Sequence, residues 1–165
     1  MEKGIGNRAD IAFFKLCFAD IIGTTDVNKV FNAYKNTMSH LKRQYPKTTF
    51  VHVTAPLLSI QKTFKTRIKR MMGKRDEWGY DGNIKRNDFN ELLRKEYEGK
   101  EPVFDLAKIE STYADGRELS FSEDGKTYYS LVPEYTHDGG HLNETGRKIV
   151  ARSLLDLLAR LIEQK

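Results

Sequence analysis

The sequence predicts an α/β fold built on a parallel β-sheet. Short β-prone runs alternate with longer segments whose apolar residues recur at helical spacing, in the order strand, helix, strand, helix, strand, loop, helix. A glycine-rich loop then leads into an amphipathic closing helix. No internal repeat or low-complexity tract interrupts the pattern, so the 165 residues read as one domain with room for a sizeable core.

The first run, Asp10 to Phe18, is apolar without helical periodicity, as in a buried strand. After a turn at Gly23-Thr24-Thr25-Asp26, the spacing of Val27, Val30, Phe31, Tyr34, Met38 and Leu41 predicts a helix over 27–44, with Thr25 or Asp26 as N-cap. Pro46 ends it. The β-branched run Thr48 to Ala55, closed by Pro56, predicts the second strand. A polar loop is expected around Gly73 to Asn83, and helical spacing resumes over Asn87 to Tyr97 through Phe89, Leu92 and Leu93. Pro102 to Ala107 reads as a short third strand ending in an acid. From Glu110 to Pro133, turn signals at Asp115-Gly116 and Asp124-Gly125 separate β-prone pieces, as in a hairpin or Ω-type insertion at about 110–134. Glu144 to Glu163 closes the chain as a helix, with Asn143 as candidate N-cap.

The bulk properties exclude several classes. The apolar share is 39% and the charged share 31%, ordinary for a water-soluble globular domain. No apolar run approaches membrane-spanning length. Met1 to Asp10 lacks the apolar core of a signal peptide. The lone Cys17 permits no internal disulfide and leaves the compartment open. The net charge of +5 gathers between Gln61 and Arg75, where Lys62, Lys65, Arg67, Lys69, Arg70, Lys74 and Arg75 interleave with Phe64, Ile68, Met71 and Met72. That spacing predicts an amphipathic helix with a basic outer face. A solvated face is the plainer interpretation, and no zinc-ligand spacing or RNA-binding aromatic motif argues for nucleic acid.

The chemistry lies in Tyr135-Thr136-His137-Asp138-Gly139-Gly140-His141-Leu142-Asn143-Glu144-Thr145-Gly146. A serine nucleophile needs a neutral imidazole to take its proton, and the imidazole needs an acceptor that fixes its tautomer. Asp138 and His141 supply those two roles if Gly139 and Gly140 let the backbone turn tightly enough for the side chains to converge.

In order of parts the chain resembles the SGNH (GDSL-type) serine hydrolases from Asp10 onward. The resemblance rests on the 27–44 helix, Phe50-Val51-His52-Val53-Thr54-Ala55-Pro56, Asn90 in the 87–97 helix, Val103-Phe104-Asp105-Leu106, Asp138 with His141, and Gly146 near the start of the last helix. It implies a three-layer, flavodoxin-like parallel sheet with helices on both faces. It also implies an esterase or deacylase acting through an acyl-enzyme, with His141 as general base and Asp138 as its orienting acid. No cofactor follows from it. The substrate would be a small ester or an acylated carbohydrate.

The departures are as informative. The family's Gly-Asp-Ser-like turn, which carries the nucleophile, has no counterpart: the first serine is Ser39, inside a helix. The family's Gly-x-Asn-Asp block falls on Cys17-Phe18-Ala19-Asp20, where Cys17 and Ala19 replace the glycine and the asparagine. Lys15 or a backbone N–H is left as a substitute oxyanion donor. The expectation is a domain without its first strand or strands, Met1 being internal to a longer hydrolase whose serine lies upstream. A truncated, non-catalytic carbohydrate-binding or protein-interaction module is the alternative. An unpaired sheet edge would then invite self-association and marginal stability.

Other residues carry weaker suggestions. His137, Asp138 and His141 approximate a zinc spacing, but Gly139-Gly140 is a poor helix. Cys17 is expected as a buried, inert thiol, His52 as a satisfied core histidine and His40 as exposed. Asp105 and Glu110 could be a carboxylate pair, although a strand-end acid capping a turn is the plainer role. Tyr113, Tyr128, Tyr129 and Tyr135 could stack on a sugar or simply pack the insertion, which is expected to border the site.

Overall fold

The computed structural model describes residues 9–60 and 76–163. The basic segment at 61–75 lies outside the described residues. Three strands, β1 (Ile11–Phe14), β2 (Thr49–Val53) and β3 (Val103–Phe104), form a parallel sheet in the order β1-β2-β3. Ile11 pairs with Thr49 and Phe14 with His52; on the other side of β2, His52 pairs with Val103 and Val53 with Phe104.

Helix α1 (Val27–Gln44) joins β1 to β2, and α2 (Tyr80–Tyr97) lies between β2 and β3. Asp26 caps α1, its carboxylate accepting the Lys29 N–H at 3.0 Å. Phe31, Tyr34 and Met38 follow one stripe of that helix and meet Phe50 of β2 together with Phe89, Leu93 and Tyr97 of α2. Odd and even strand positions face opposite ways, so Ile11, Val51, Val53 and Phe104 pack against the other layer. That layer is the closing helix α4 (Glu144–Glu163), through Val150, Leu154, Leu157 and Leu161. Helices thus lie against both faces of a parallel sheet, as in flavodoxin-like α/β folds.

A short helix α3 (Leu106–Ser111) follows β3 at once. Asp105 caps it by accepting the Lys108 N–H, while both its carboxylate oxygens take Arg94. The strand-end acid therefore caps a turn. The insertion contains an antiparallel hairpin, β4 (Ser120–Glu123) and β5 (Lys126–Tyr129), turning at Asp124-Gly125. It is moored to α2: Asn87 brackets the N–H and carbonyl of Tyr129, and Lys126 bridges Asp88 and Glu91.

Several boundaries differ from those the sequence suggested. The first and third strands are shorter, because the chain leaves the sheet for a 3₁₀ turn at Phe18–Asp20 in one case and for α3 in the other. Helix α2 begins at Tyr80 rather than near Asn87. Asp76 starts it, accepting the N–H groups of Gly79 and Tyr80. Its first turns bury Gly82, Asn83 and Arg86 instead of apolar residues, which hides them from a hydrophobic-period reading.

Among the described residues, no strand pairs with the outer edge of β1. Phe13 and Phe14 on that strand are 41% and 37% exposed, and Leu155 and Ile162 of α4 each reach 65%. No helix in the described residues is long and apolar enough to cross a membrane.

Candidate active site

The loop between the 3₁₀ turn Pro133–Tyr135 and α4 is closed before it carries any chemistry. Thr136 bridges Leu142, and the Tyr135 carbonyl accepts the Asn143 N–H at 2.8 Å. Asn143 caps α4 through its side-chain oxygen, which takes the Gly146 N–H at 3.1 Å. A Cβ at Gly146 would stand 2.7 Å from the Tyr135 carbonyl oxygen, so this crossing of helix and loop needs a glycine. Gly139 holds φ at +89°, the left-handed conformation that turns the chain between acid and imidazole.

Within that turn, Asp138 is saturated with donors. Its Oδ1 accepts the Gly140 N–H at 2.9 Å, the His141 N–H at 2.8 Å and the Thr136 hydroxyl at 3.2 Å. Its Oδ2 lies 2.6 Å from His141 Nδ1. The Gly140 N–H, the His141 ring and the His141 N–H together hold the carboxyl well below the usual carboxylate range. An ionised Asp138 offers only acceptors, so the neutral His141 ring carries its proton on Nδ1 and leaves Nε2 with a free lone pair. A carboxylate that holds Nδ1–H in this way leaves Nε2 able to accept a proton.

The dyad opens on a cleft of about 380 Å³ lined by Phe18, Leu58, Ser59, Asp76, Asp138, Gly139, Gly140 and His141. The Phe18 ring meets His141 edge-on at 5.5 Å between centroids. Both members are open to solvent, at 76% exposure for the His141 side chain and 56% for Asp138.

The remaining candidates fall elsewhere. Cys17, expected in the core, is exposed, because β1 ends at Phe14 and the chain turns outward there. The Lys15 ammonium rests 3.4 Å from the Leu16 carbonyl. His40 is exposed. His52 is fully buried: Nδ1 accepts the Tyr34 hydroxyl at 2.7 Å, Nε2–H donates to Glu101 at 3.1 Å, and the ring stacks on Tyr97 at 3.6 Å. Asp105 and Glu110 do not act as a pair: Asp105 takes Arg94, while the buried Glu110 accepts the Leu57 N–H at 2.8 Å. No group of three or more His, Cys, Asp or Glu side chains suited to a metal converges among the described residues. Tyr128 and Tyr135 are buried, and Tyr113 lies under the Arg117 guanidinium. No residue of 110–134 lines the cleft, so the insertion supports the site from behind rather than bordering it.

Sequence reasoning missed Phe18, Leu58, Ser59 and Asp76 as cleft walls, and the polar residues behind them. Arg86 is fully buried, yet its guanidinium reaches the Phe18 carbonyl, the Asn83 side chain and the Trp78 carbonyl. Burial pushes its pKa down to about 10, which leaves it charged near neutrality. The signal available was the recurrence of Asn83, Arg86 and Asn90 along one stripe of a helix, a polar face turned inward.

No family model matches the chain, and no curated protein matches it. Among solved structures the chain is similar to a protein from Streptococcus pneumonia provisionally described as a platelet activating factor. The likeness covers 90% of this chain at 20% sequence identity, with a TM-score of 0.59. The chain spans 59% of that protein's length. At that identity the likeness concerns the fold.

Proposed function

We propose that this chain is the base-bearing part of an SGNH-type serine hydrolase, an esterase or deacylase working through an acyl-enzyme. The observation that carries it is the 2.6 Å contact between Asp138 and His141 Nδ1 in a loop that presents Nε2 to an open cleft. His141 Nε2 takes the serine proton as the hydroxyl oxygen attacks the acyl carbon. The imidazolium, stabilised by ionised Asp138, then protonates the departing alcohol, and water repeats the sequence to free the acid.

The serine itself comes from outside the described residues, on a segment that continues the sheet beside β1 and covers the dyad. Three features support this. No described serine follows a strand in a Gly-Asp-Ser-like turn, the dyad is more than half exposed, and the β1 edge carries two exposed phenylalanines. Oxyanion donors accompany that segment, since Cys17 and Ala19 stand where the family has glycine and asparagine. The substrate proposed for this cleft of about 380 Å³ is a small ester or an acylated carbohydrate.

A second interpretation, a non-catalytic carbohydrate-binding or protein-interaction module, draws on the same exposed dyad and edge, with β1 pairing between copies. Labelling with a serine-directed fluorophosphonate, on protein made from its complete reading frame, separates the two. The hydrolase reading expects one labelled serine and loss of label in His141→Ala; absence of label in the folded protein favours the module.

A further inference from the structure

We infer that Asn83 is a positioning residue for the Asp138–His141 dyad, acting through Leu58 and Ser59 and held in place by Arg86. This rests on the hydrolase reading only for its purpose, since the geometry stands alone. Asn83 grips the Leu58 backbone at both polar groups: Oδ1 accepts the Leu58 N–H at 2.9 Å, and Nδ2 donates to the Leu58 carbonyl at 2.6 Å. The gripped segment then holds the dyad loop. The Ser59 N–H donates to the Gly139 carbonyl at 2.8 Å, and Leu58 packs so closely on Gly140 that a Cβ there would lie 2.8 Å from Leu58 Cδ2.

Arg86 completes the arrangement from behind. Nη1 donates to Asn83 Oδ1 at 2.7 Å, which fixes the amide in the orientation that presents Nδ2 to Leu58. Nε donates to the Phe18 carbonyl at 3.2 Å, so the residue whose ring meets His141 answers to the same guanidinium. One buried polar pair thus sets both walls around the imidazole. Such pairs define a single arrangement when every member is satisfied, and a base must be held closely to its productive geometry.

The test reads the His141 ring itself. Two-bond proton–nitrogen correlation spectra at a pH where the ring is neutral report its tautomer through non-exchanging carbon-bound protons. The wild-type chain is expected to be predominantly Nδ1–H. In Asn83→Ala the Nε2–H form becomes the larger fraction as the loop loosens. Asn90→Ala is the matched control: Asn90 grips Ala55 in the same two-bonded manner, 2.6 Å and 2.9 Å, but its strand end does not touch the dyad loop. It should lower the melting temperature comparably and leave the tautomer alone. Asn83→Asp, which keeps the acceptor and loses the donor, moves the tautomer the same way by less, and carries the test should Asn83→Ala not fold. A tautomer indifferent to both Asn83 changes, or moved equally by Asn90→Ala, would overturn the inference. A chain that responds as expected but hydrolyses nothing in its complete form overturns the hydrolase reading instead.

Discussion

Asn83 and Asn90 stand two helical turns apart on α2, and each clamps a different point of the chain leaving β2. Asn90 takes the N–H and carbonyl of Ala55, and Asn83 takes those of Leu58. Strand exits carry backbone groups that no ladder satisfies, and burial makes them costly if left unpaired. Two asparagines on one stripe supply both sets of partners. Asn90→Ala leaves the Ala55 pair unsatisfied and is expected to cost about 2–4 kcal/mol, on the basis of two lost buried hydrogen bonds. Urea unfolding followed by circular dichroism measures it.

This stripe also marks the limit of what the sequence discloses. Helix α1 was legible because Val27, Phe31, Tyr34 and Met38 repeat an apolar period and Asp26 caps it. The convergence of Asp138 with His141 was legible because Gly139 and Gly140 between them make a tight turn accessible. The start of α2 was not, since its buried face is polar and its purpose is a backbone segment distant in sequence. Cys17 was misjudged for a related reason: an apolar run does not reveal where its strand stops pairing. The cleft walls at Leu58 and Ser59 depend on contacts with Asn83 and Gly139 that no local pattern encodes.

Glu110 should make stability fall as pH rises through neutrality. Burial pushes its carboxyl up to about 7, against the Leu57 N–H and the charges of Lys15 and Arg86, from an ordinary value of 4.5. The folded state therefore holds a proton that the unfolded state has released between those values, and stability declines over that window as pH increases. Glu110→Gln keeps an acceptor for Leu57 and removes the titration. Its denaturation midpoint should lose this part of the wild-type pH dependence between pH 5 and 8.

The His52 cluster works in the opposite sense. Burial lowers the His52 pKa below 6.5, outweighing the attraction of Glu101, and the neutral ring satisfies Tyr34 and Glu101 together. Glu101 is itself held low by Lys42 and His52 in spite of its partial burial. Both groups bind protons more readily when unfolded, so their stabilisation is complete above the ordinary histidine value and is lost as pH falls through the folded one. His52→Phe should flatten the acid limb of a stability–pH curve while removing the Tyr34 and Glu101 contacts.

Two glycines of the dyad loop should respond in a definite order. Gly139→Ala meets open space but must hold φ at +89°, a strain of about 1–2 kcal/mol for a residue with a Cβ. Gly146→Ala drives a Cβ to within 2.7 Å of the Tyr135 carbonyl oxygen, with the Leu142 and Tyr135 side chains 2.9 Å and 3.0 Å away. Its loss of stability should exceed that of Gly139→Ala, as thermal unfolding of the two variants would register.

We propose that Asp138 orients His141 as a general base. This is tested most directly by the steady-state hydrolysis of p-nitrophenyl acetate, using protein from the complete reading frame with wild type, His141→Ala and Asp138→Asn side by side. We expect kcat to fall on the order of 10⁴-fold in Asp138→Asn and on the order of 10⁶-fold in His141→Ala, with little change in KM or in thermal stability. Hydrolysis that persists at the wild-type rate in a folded His141→Ala protein would contradict it.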